Sequence, residues 1–254
     1  MMCPPGGGRI RPDSGSVEAS PRLTRPRSCS TIDCRMAGIK KDRTMEVPAR
    51  VSVFGVAVFM VLTGCGDTHI DYCSRGLAYA KRGEFDRAIA SYDKAIERDP
   101  WNAEAYASRG YVYYAKGEYD RAIANYSRAI DLDPAYTRVY VNRGDAYSMK
   151  AEYDRAVSDY TKALELNPRL AKVYDARGLA RAAQGDFDRA VSNFTVAIGL
   201  ELLEPRFYLH RASAYRNKGL YEQAWQDVRQ AQKLGLQAEP DFLKRLREDS
   251  DGAP

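Results

Sequence analysis

Histidine is almost missing from these 254 residues: His69 and His210 are the only two. Neither stands near a serine or cysteine in a nucleophile motif, and no phosphate-binding loop is present. Metal ligands are lacking as well. The five cysteines, Cys3, Cys29, Cys34, Cys65 and Cys73, form no CxxC pair and no Cys/His cluster. Neither a zinc site nor a redox pair is expected from them. Only Cys73 falls well inside the regular part of the chain, so no internal disulfide framework is expected there. No metal, no cofactor and no catalytic residue follow from the composition, and the chain reads as a non-enzyme.

No apolar run is long enough to cross a bilayer as a helix. The longest, Val51 to Leu62, has about a dozen residues where roughly 20 are needed. The net charge of +5 also misleads as an average. Its excess sits before residue 51, in Arg9, Arg11, Arg22, Arg25, Arg27, Arg35, Lys40, Lys41, Arg43 and Arg50. The rest is close to neutral, so nucleic acid is not an expected partner.

The front of the chain reads as an address. Residues 1–35 are rich in Pro, Gly, Arg and Ser without apolar periodicity. They are expected to be disordered, or to lie before a true start at Met36. Residues 36–64 then have the plan of a secretory signal: a basic flank, the short apolar run, and small residues behind it. The run ends in Leu62-Thr63-Gly64-Cys65, which resembles the lipobox of bacterial lipoprotein precursors. The resemblance implies acylation of Cys65, with palmitate or a similar chain, cleavage before it, and a short tether at 65–68. A plain signal peptide, or an uncleaved anchor, is the other reading of the same residues.

What is abundant is repetition. Gly76, Gly110, Gly144 and Gly178 recur every 34 residues. On the same register fall Tyr72, Tyr106, Tyr140, Tyr174 and Tyr208, then Ala88, Ala122, Ala156, Ala190 and Ala224, and then Pro100, Pro134 and Pro168. A fixed period of this length means stacked helical hairpins. Glycine or alanine lets two helices approach, aromatic rings fill the wedge between neighbours, and proline ends the second helix. Acids such as Asp86 and Asp120 are expected at helix starts, where the dipole favours them. Arg75, Arg109, Arg143, Arg177 and Arg211 also recur. They are expected to bridge helices through acids such as Asp86 and Asp120.

With residue 69 as position 1, the second unit places Tyr106, Gly110, Tyr113, Ala122, Tyr126, Ala129 and Pro134 at positions 4, 8, 11, 20, 24, 27 and 32. This pattern resembles the tetratricopeptide repeat (TPR). The resemblance implies an all-α fold: a right-handed superhelix (α-solenoid) of five helix-turn-helix repeats, at 69–102, 103–136, 137–170, 171–204 and 205–238. The fourth unit departs at Arg181 and Leu202, and the fifth has Ala212 for Gly and Val228 for the aromatic. Residues 239–254, with Phe242, Leu243 and Leu246 on one side, read as a capping helix and tail, which an open stack requires.

All but three of the 18 tyrosines belong to the scaffold pattern. Tyr111, Tyr114 and Tyr136 remain. In the family, positions 2, 5, 9, 12 and 13 line a concave groove that holds a peptide or a partner helix. Those positions give Ile70, Cys73, Leu77, Tyr111, Tyr114, Val141 and Met149 at the front. At the rear they give Arg138, Lys172, Arg206 and Arg216, with Asp145 and Asp175 between. Tyr111 and Tyr114 are either groove anchors or padding between repeats. The family's two-carboxylate clamp is matched only by Asn142 and Lys172 and is not supported.

The expected function is a protein-binding adaptor or assembly scaffold. Cys65 would tether it to a membrane of the bacterial cell envelope, outer or inner, and a partner protein would lie in the groove. A self-associating structural protein and an uncleaved membrane-anchored scaffold are the alternatives.

Overall fold

The structure, a computed structural model, describes residues 69–252. Residues 1–68 lie outside it, and with them the leading segment, the signal, Cys65 and its tether. The described chain is helical throughout, with no strand. Five helical hairpins follow one another: α1 (His69–Lys81) with α2 (Phe85–Arg98), α3 (Ala103–Ala115) with α4 (Tyr119–Leu132), α5 (Thr137–Met149) with α6 (Tyr153–Leu166), α7 (Ala171–Ala183) with α8 (Phe187–Leu200), and α9 (Pro205–Asn217) with α10 (Tyr221–Lys233). A last helix, α11 (Pro240–Asp251), packs on α10. Each second helix also packs on the first helix of the next pair, and the odd-numbered helices touch in series. The result is an α-solenoid.

The turns within pairs reuse one device. Gly83, Gly117, Gly185 and Gly219 all have φ between 73° and 79°, a left-handed conformation that costs glycine little. The third turn has Ala151 instead, at φ 58°, where a methyl group is disfavoured.

The glycine ladder in the first helices has a more specific cause than general closeness. A Cβ on Gly76, Gly110, Gly144 or Gly178 would stand 2.6–2.8 Å from the ring of Tyr92, Tyr126, Tyr160 or Phe194, respectively. Each glycine is a seat for one aromatic ring of the helix that follows. Those four rings are buried, each contributing on the order of 2–3 kcal/mol of apolar transfer. In the fifth pair the seat is Ala212 and the occupant is Val228, both buried. The side chain is larger on one helix and smaller on the other, so the substitution is a matched exchange rather than a decayed repeat.

The arginine ladder bridges helices, but not through the acids anticipated from the sequence. Arg143 donates from Nε and Nη2 to both oxygens of Asp159, each at 2.8 Å, and from Nη1 to Ser127 at 2.9 Å. Arg211 repeats this with Asp227, at 2.8 Å twice, and Thr195 at 3.0 Å. Arg109 reaches Asn125 at 2.8 Å and Asp93. Arg177 reaches Asn193 at 2.8 Å and Thr161 at 3.1 Å. Each thus ties its own second helix to the second helix of the preceding pair. Asp86 and Asp120 instead pair with Lys116 (2.8 Å) and Lys150 (2.6 Å), thirty residues ahead. Gln184 does the same to Asp154 at 2.7 Å, and Lys218 to Asp188. These links are exposed and screened by solvent, so they add little to stability.

At the far end, Leu246 of α11 is fully buried against Ala212, Val228 and Ala238, with Phe242 and Leu243 beside it. The helix covers apolar surface that a further repeat would otherwise bury.

Candidate functional site

Because the odd-numbered helices pack side by side, equivalent positions on them form rows. The row at position 9 runs Leu77, Tyr111, Asp145, Leu179 and Ser213. The row at position 2 runs Glu104, Arg138, Lys172 and Arg206 after its first member. Between α1, α3 and α5 lies a cavity of about 610 Å³. Its walls include Cys73, Leu77, Tyr92, Tyr111, Arg138 and Asn142. Tyr111 is 58% exposed and Leu77 51%, although both are large and apolar. The ring of Tyr111 presents a broad rigid face to this space, the kind of side chain that anchors interfaces.

The other groove residues expected from the sequence divide into distinct groups. Tyr114 is partly buried against the core of α3–α5. Its ring lies 5.5 Å from that of Tyr119, tilted by 59°, and it is not among the cavity's walls. Burial pushes its phenol pKa up, with Asp145 adding to the effect. Of the two roles open to the tyrosines, the geometry gives Tyr114 the padding and Tyr111 the exposed face. Val141 is half-buried against the core around α6 and α7. Met149 is exposed.

The two acids between the front and the rear are held by neighbours. Asp145 accepts a 2.7 Å hydrogen bond from the Tyr160 hydroxyl, which itself stands 3.2 Å from Ser148. Burial raises the Asp145 pKa, and the Tyr160 bond offsets this only in part. Asp175 meets Nδ1 of His210 at 2.7 Å, and the His210 ring lies 5.8 Å from Phe194. His210 therefore joins two repeats. Arg216 is bound to Asp249 of α11 at 2.6 Å. Arg206 is bound to Glu204 at 2.9 Å. Arg138 donates to the Tyr136 hydroxyl at 2.9 Å, and Lys172 is exposed.

Leu179, 44% exposed, escaped the sequence reading. It falls 34 residues after Asp145 in the same row, so the register alone could have found it. Asn142, one of the two matches to the clamp, lines the same cavity as Tyr111. Among the described residues no group of His, Cys, Asp or Glu is placed to hold a metal ion. No described helix is long and apolar enough to cross a membrane.

Comparison with known proteins agrees with this geometry. Family models of the tetratricopeptide repeat match residues 76–117 and 110–150, 137–170 and 176–239. No curated protein sequence matches the chain. Among solved structures, that of MamA protein is similar at 27% identity and a TM-score of 0.63, covering 69% of this chain and all of that one. A second is YrrB, a TPR protein with an unusual peptide-binding site. It is 23% identical with a TM-score of 0.61, covering 78% of this chain and 97% of its own. Proteins of this fold serve in general as scaffolds for protein–protein interaction. The regular spacing, the paired helices and the matched models together establish that the chain belongs to the tetratricopeptide-repeat family.

Proposed function

We propose that this protein is a membrane-tethered adaptor of the bacterial cell envelope that grips a partner polypeptide in the groove between α1, α3 and α5. One observation carries the binding half of the reading. Tyr111 and Leu77 stay largely exposed while lining one cavity, in a scaffold that buries its repeated tyrosines more deeply. Exposed apolar side chains that gather along one groove mark an interaction site. A peptide-binding site in YrrB, a protein of the same fold, is in keeping with this. The reading needs no catalytic group, cofactor or metal of its own.

The tether half rests on Leu62-Thr63-Gly64-Cys65 behind a short apolar run. Several acyl chains on one cysteine would hold the protein stably at a membrane, where a single chain would not.

Both halves can be tested in cells. Labelled palmitate should enter the native protein and not Cys65→Ala; equal labelling of both would remove the tether. Crosslinking and affinity purification should recover a partner with the native protein and lose it with Tyr111→Ala. Tyr114→Ala should instead lower thermal stability. Recovery of only further copies of the same chain would replace the adaptor by a self-associating scaffold.

A further inference from the structure

The two edges of the stack differ in kind. The first helices of the pairs run one way and the second helices return, so the starts of the odd-numbered helices and the loops between pairs share one edge. The turns within pairs share the other. On the turn edge the first four turns are polar: Arg82-Gly83-Glu84, Lys116-Gly117-Glu118, Lys150-Ala151-Glu152 and Gln184-Gly185-Asp186. Among the described residues, Met149 is the one large apolar side chain left exposed there. The loop edge carries Trp101, Leu166, Leu200, Leu202 and Leu203, the last of them 80% exposed.

The fourth pair concentrates this apolar surface. Toward the ends of α2, α4 and α6 a cation and an acid stand three residues apart: Lys94 and Glu97, Arg128 and Asp131, Lys162 and Glu165. In α8 the same positions hold Val196 and Gly199, both exposed. From Ala190 to Leu200 the helix has no charged residue. Leu202 then stands where the earlier loops have Pro100, Pro134 and Pro168. The loop is nonetheless fixed, because the Tyr208 hydroxyl donates to the Leu202 carbonyl at 3.1 Å, as Tyr140 does to Pro134 at 3.3 Å. In the first loop the Trp101 N–H donates to Asp99 at 3.1 Å. Arg128 stands over the Trp101 ring at 5.8 Å, yet the residue remains 55% exposed. Both loops hold their apolar side chains out on an ordered backbone.

We propose that this loop edge lies against a lipid surface, with Trp101, Leu202 and Leu203 reaching the boundary between headgroups and acyl chains. The choice of occupant follows from where the leading chain ends. It enters α1 at His69, on this same edge. Between Cys65 and His69 there is at most about 14 Å of extended chain. An anchor on Cys65 therefore holds the loop edge, and not the turn edge, near the bilayer. Tryptophan and leucine are side chains that favour that boundary. Charges of both signs flank them, Glu201 and Glu204 with Arg169 and Lys172, so the attraction is apolar rather than ionic. This contact rests on the tether proposed above and adds an orientation to it. Acyl chains alone leave the stack free to swing, whereas a second point of contact fixes which way it stands.

Tryptophan quenching tests this, because Trp101 and Trp225 are the only two tryptophans. The full chain is isolated from membranes as cells process it and returned to phosphatidylcholine vesicles with brominated acyl chains. Trp225→Phe leaves Trp101 as the reporter. With Trp101→Phe added, Leu203→Trp reports on the fourth loop and Arg82→Trp on the turn edge. An unchanged helical circular-dichroism signal would confirm that each variant is folded. The two loop reporters should be quenched roughly twofold, as side chains at the acyl boundary are, and the turn reporter not at all. Raising salt should change little. Unquenched loops in a protein that stays on the vesicles would overturn the contact and leave the tether standing. Equal quenching on both edges would overturn the orientation and the proposal with it. A protein that leaves the vesicles would overturn tether and contact together. Shielding of Trp101 without lipid, growing with protein concentration, would overturn the lipid in favour of a second copy of this chain.

Discussion

Gly178 and Phe194 fit one another as seat and ring: a Cβ on the glycine would stand 2.6 Å from Cε1 of the phenylalanine. Alanine at 178 should therefore destabilise by about 1–3 kcal/mol through overpacking, despite its better helix propensity. Phe194→Val should also destabilise, by leaving a void. Together they recreate the Ala212/Val228 pair of the fifth repeat. The double variant should lose less than the two single losses combined, by roughly 1 kcal/mol or more. A double-mutant cycle in urea measures this, and simple additivity would refute the matched exchange.

Ala151 holds φ 58° where the equivalent turns have glycine. Ala151→Gly should stabilise by about 1 kcal/mol, because relief of left-handed strain exceeds the added freedom of the unfolded chain. Gly117→Ala in the preceding turn should destabilise by a similar amount. A denaturation midpoint for each, against the native protein, decides the matter.

Arg177 is the one arginine among Arg109, Arg143, Arg177 and Arg211 with no carboxylate partner in these bridges. Burial lowers its pKa, and the like charge of Arg181 adds to the effect. Asn193→Asp would supply the group that Asp159 and Asp227 supply in neighbouring repeats. It gives up the Asn193 bond to the Arg189 carbonyl but gains a charge-assisted one, for a net stabilisation of roughly 1 kcal/mol. No gain at neutral pH would show the pair to be replaceable by neutral hydrogen bonds.

The folded-state pKa of Asp145 is raised by burial, so its ionised form is disfavoured in the fold relative to the unfolded chain. Stability tied to this group is complete below the unfolded carboxylate pKa and declines as pH rises through the folded one. Asp145→Asn keeps an acceptor for Tyr160 without the charge. The variant should melt higher than the native protein at neutral pH, and the gap should close on acidification. Thermal melts at several pH values would expose a constant gap if burial were not the cause.

Much of the fold was legible in the chain because a 34-residue period multiplies weak signals. One Gly, Tyr or Pro says little, but three to five at a fixed interval specify helices, turns and their order. The aromatic residues outside the pattern also pointed to the groove, and Tyr111 is found exposed on its wall. Tyr114 illustrates the limit. Both tyrosines lie on α3 three residues apart, and only the positions of Tyr119 and α5 separate an exposed ring from a packed one. The arginine bridges were equally out of reach. Their partners stand sixteen residues away in both directions, and which acid a guanidinium meets depends on how one hairpin lies against the next.

The sequence by itself determined the secondary structure, the pairing of helices and the chemical types available along each row, because all three follow from local periodicity and backbone preference. Only the tertiary structure decided which of those side chains remain in solvent. Asp145 and Asp175 are drawn onto Tyr160 and His210, while Tyr111, Arg138 and Lys172 are left facing outward. Exposure is a property of neighbours, and neighbours from separate repeats meet only after the hairpins have stacked.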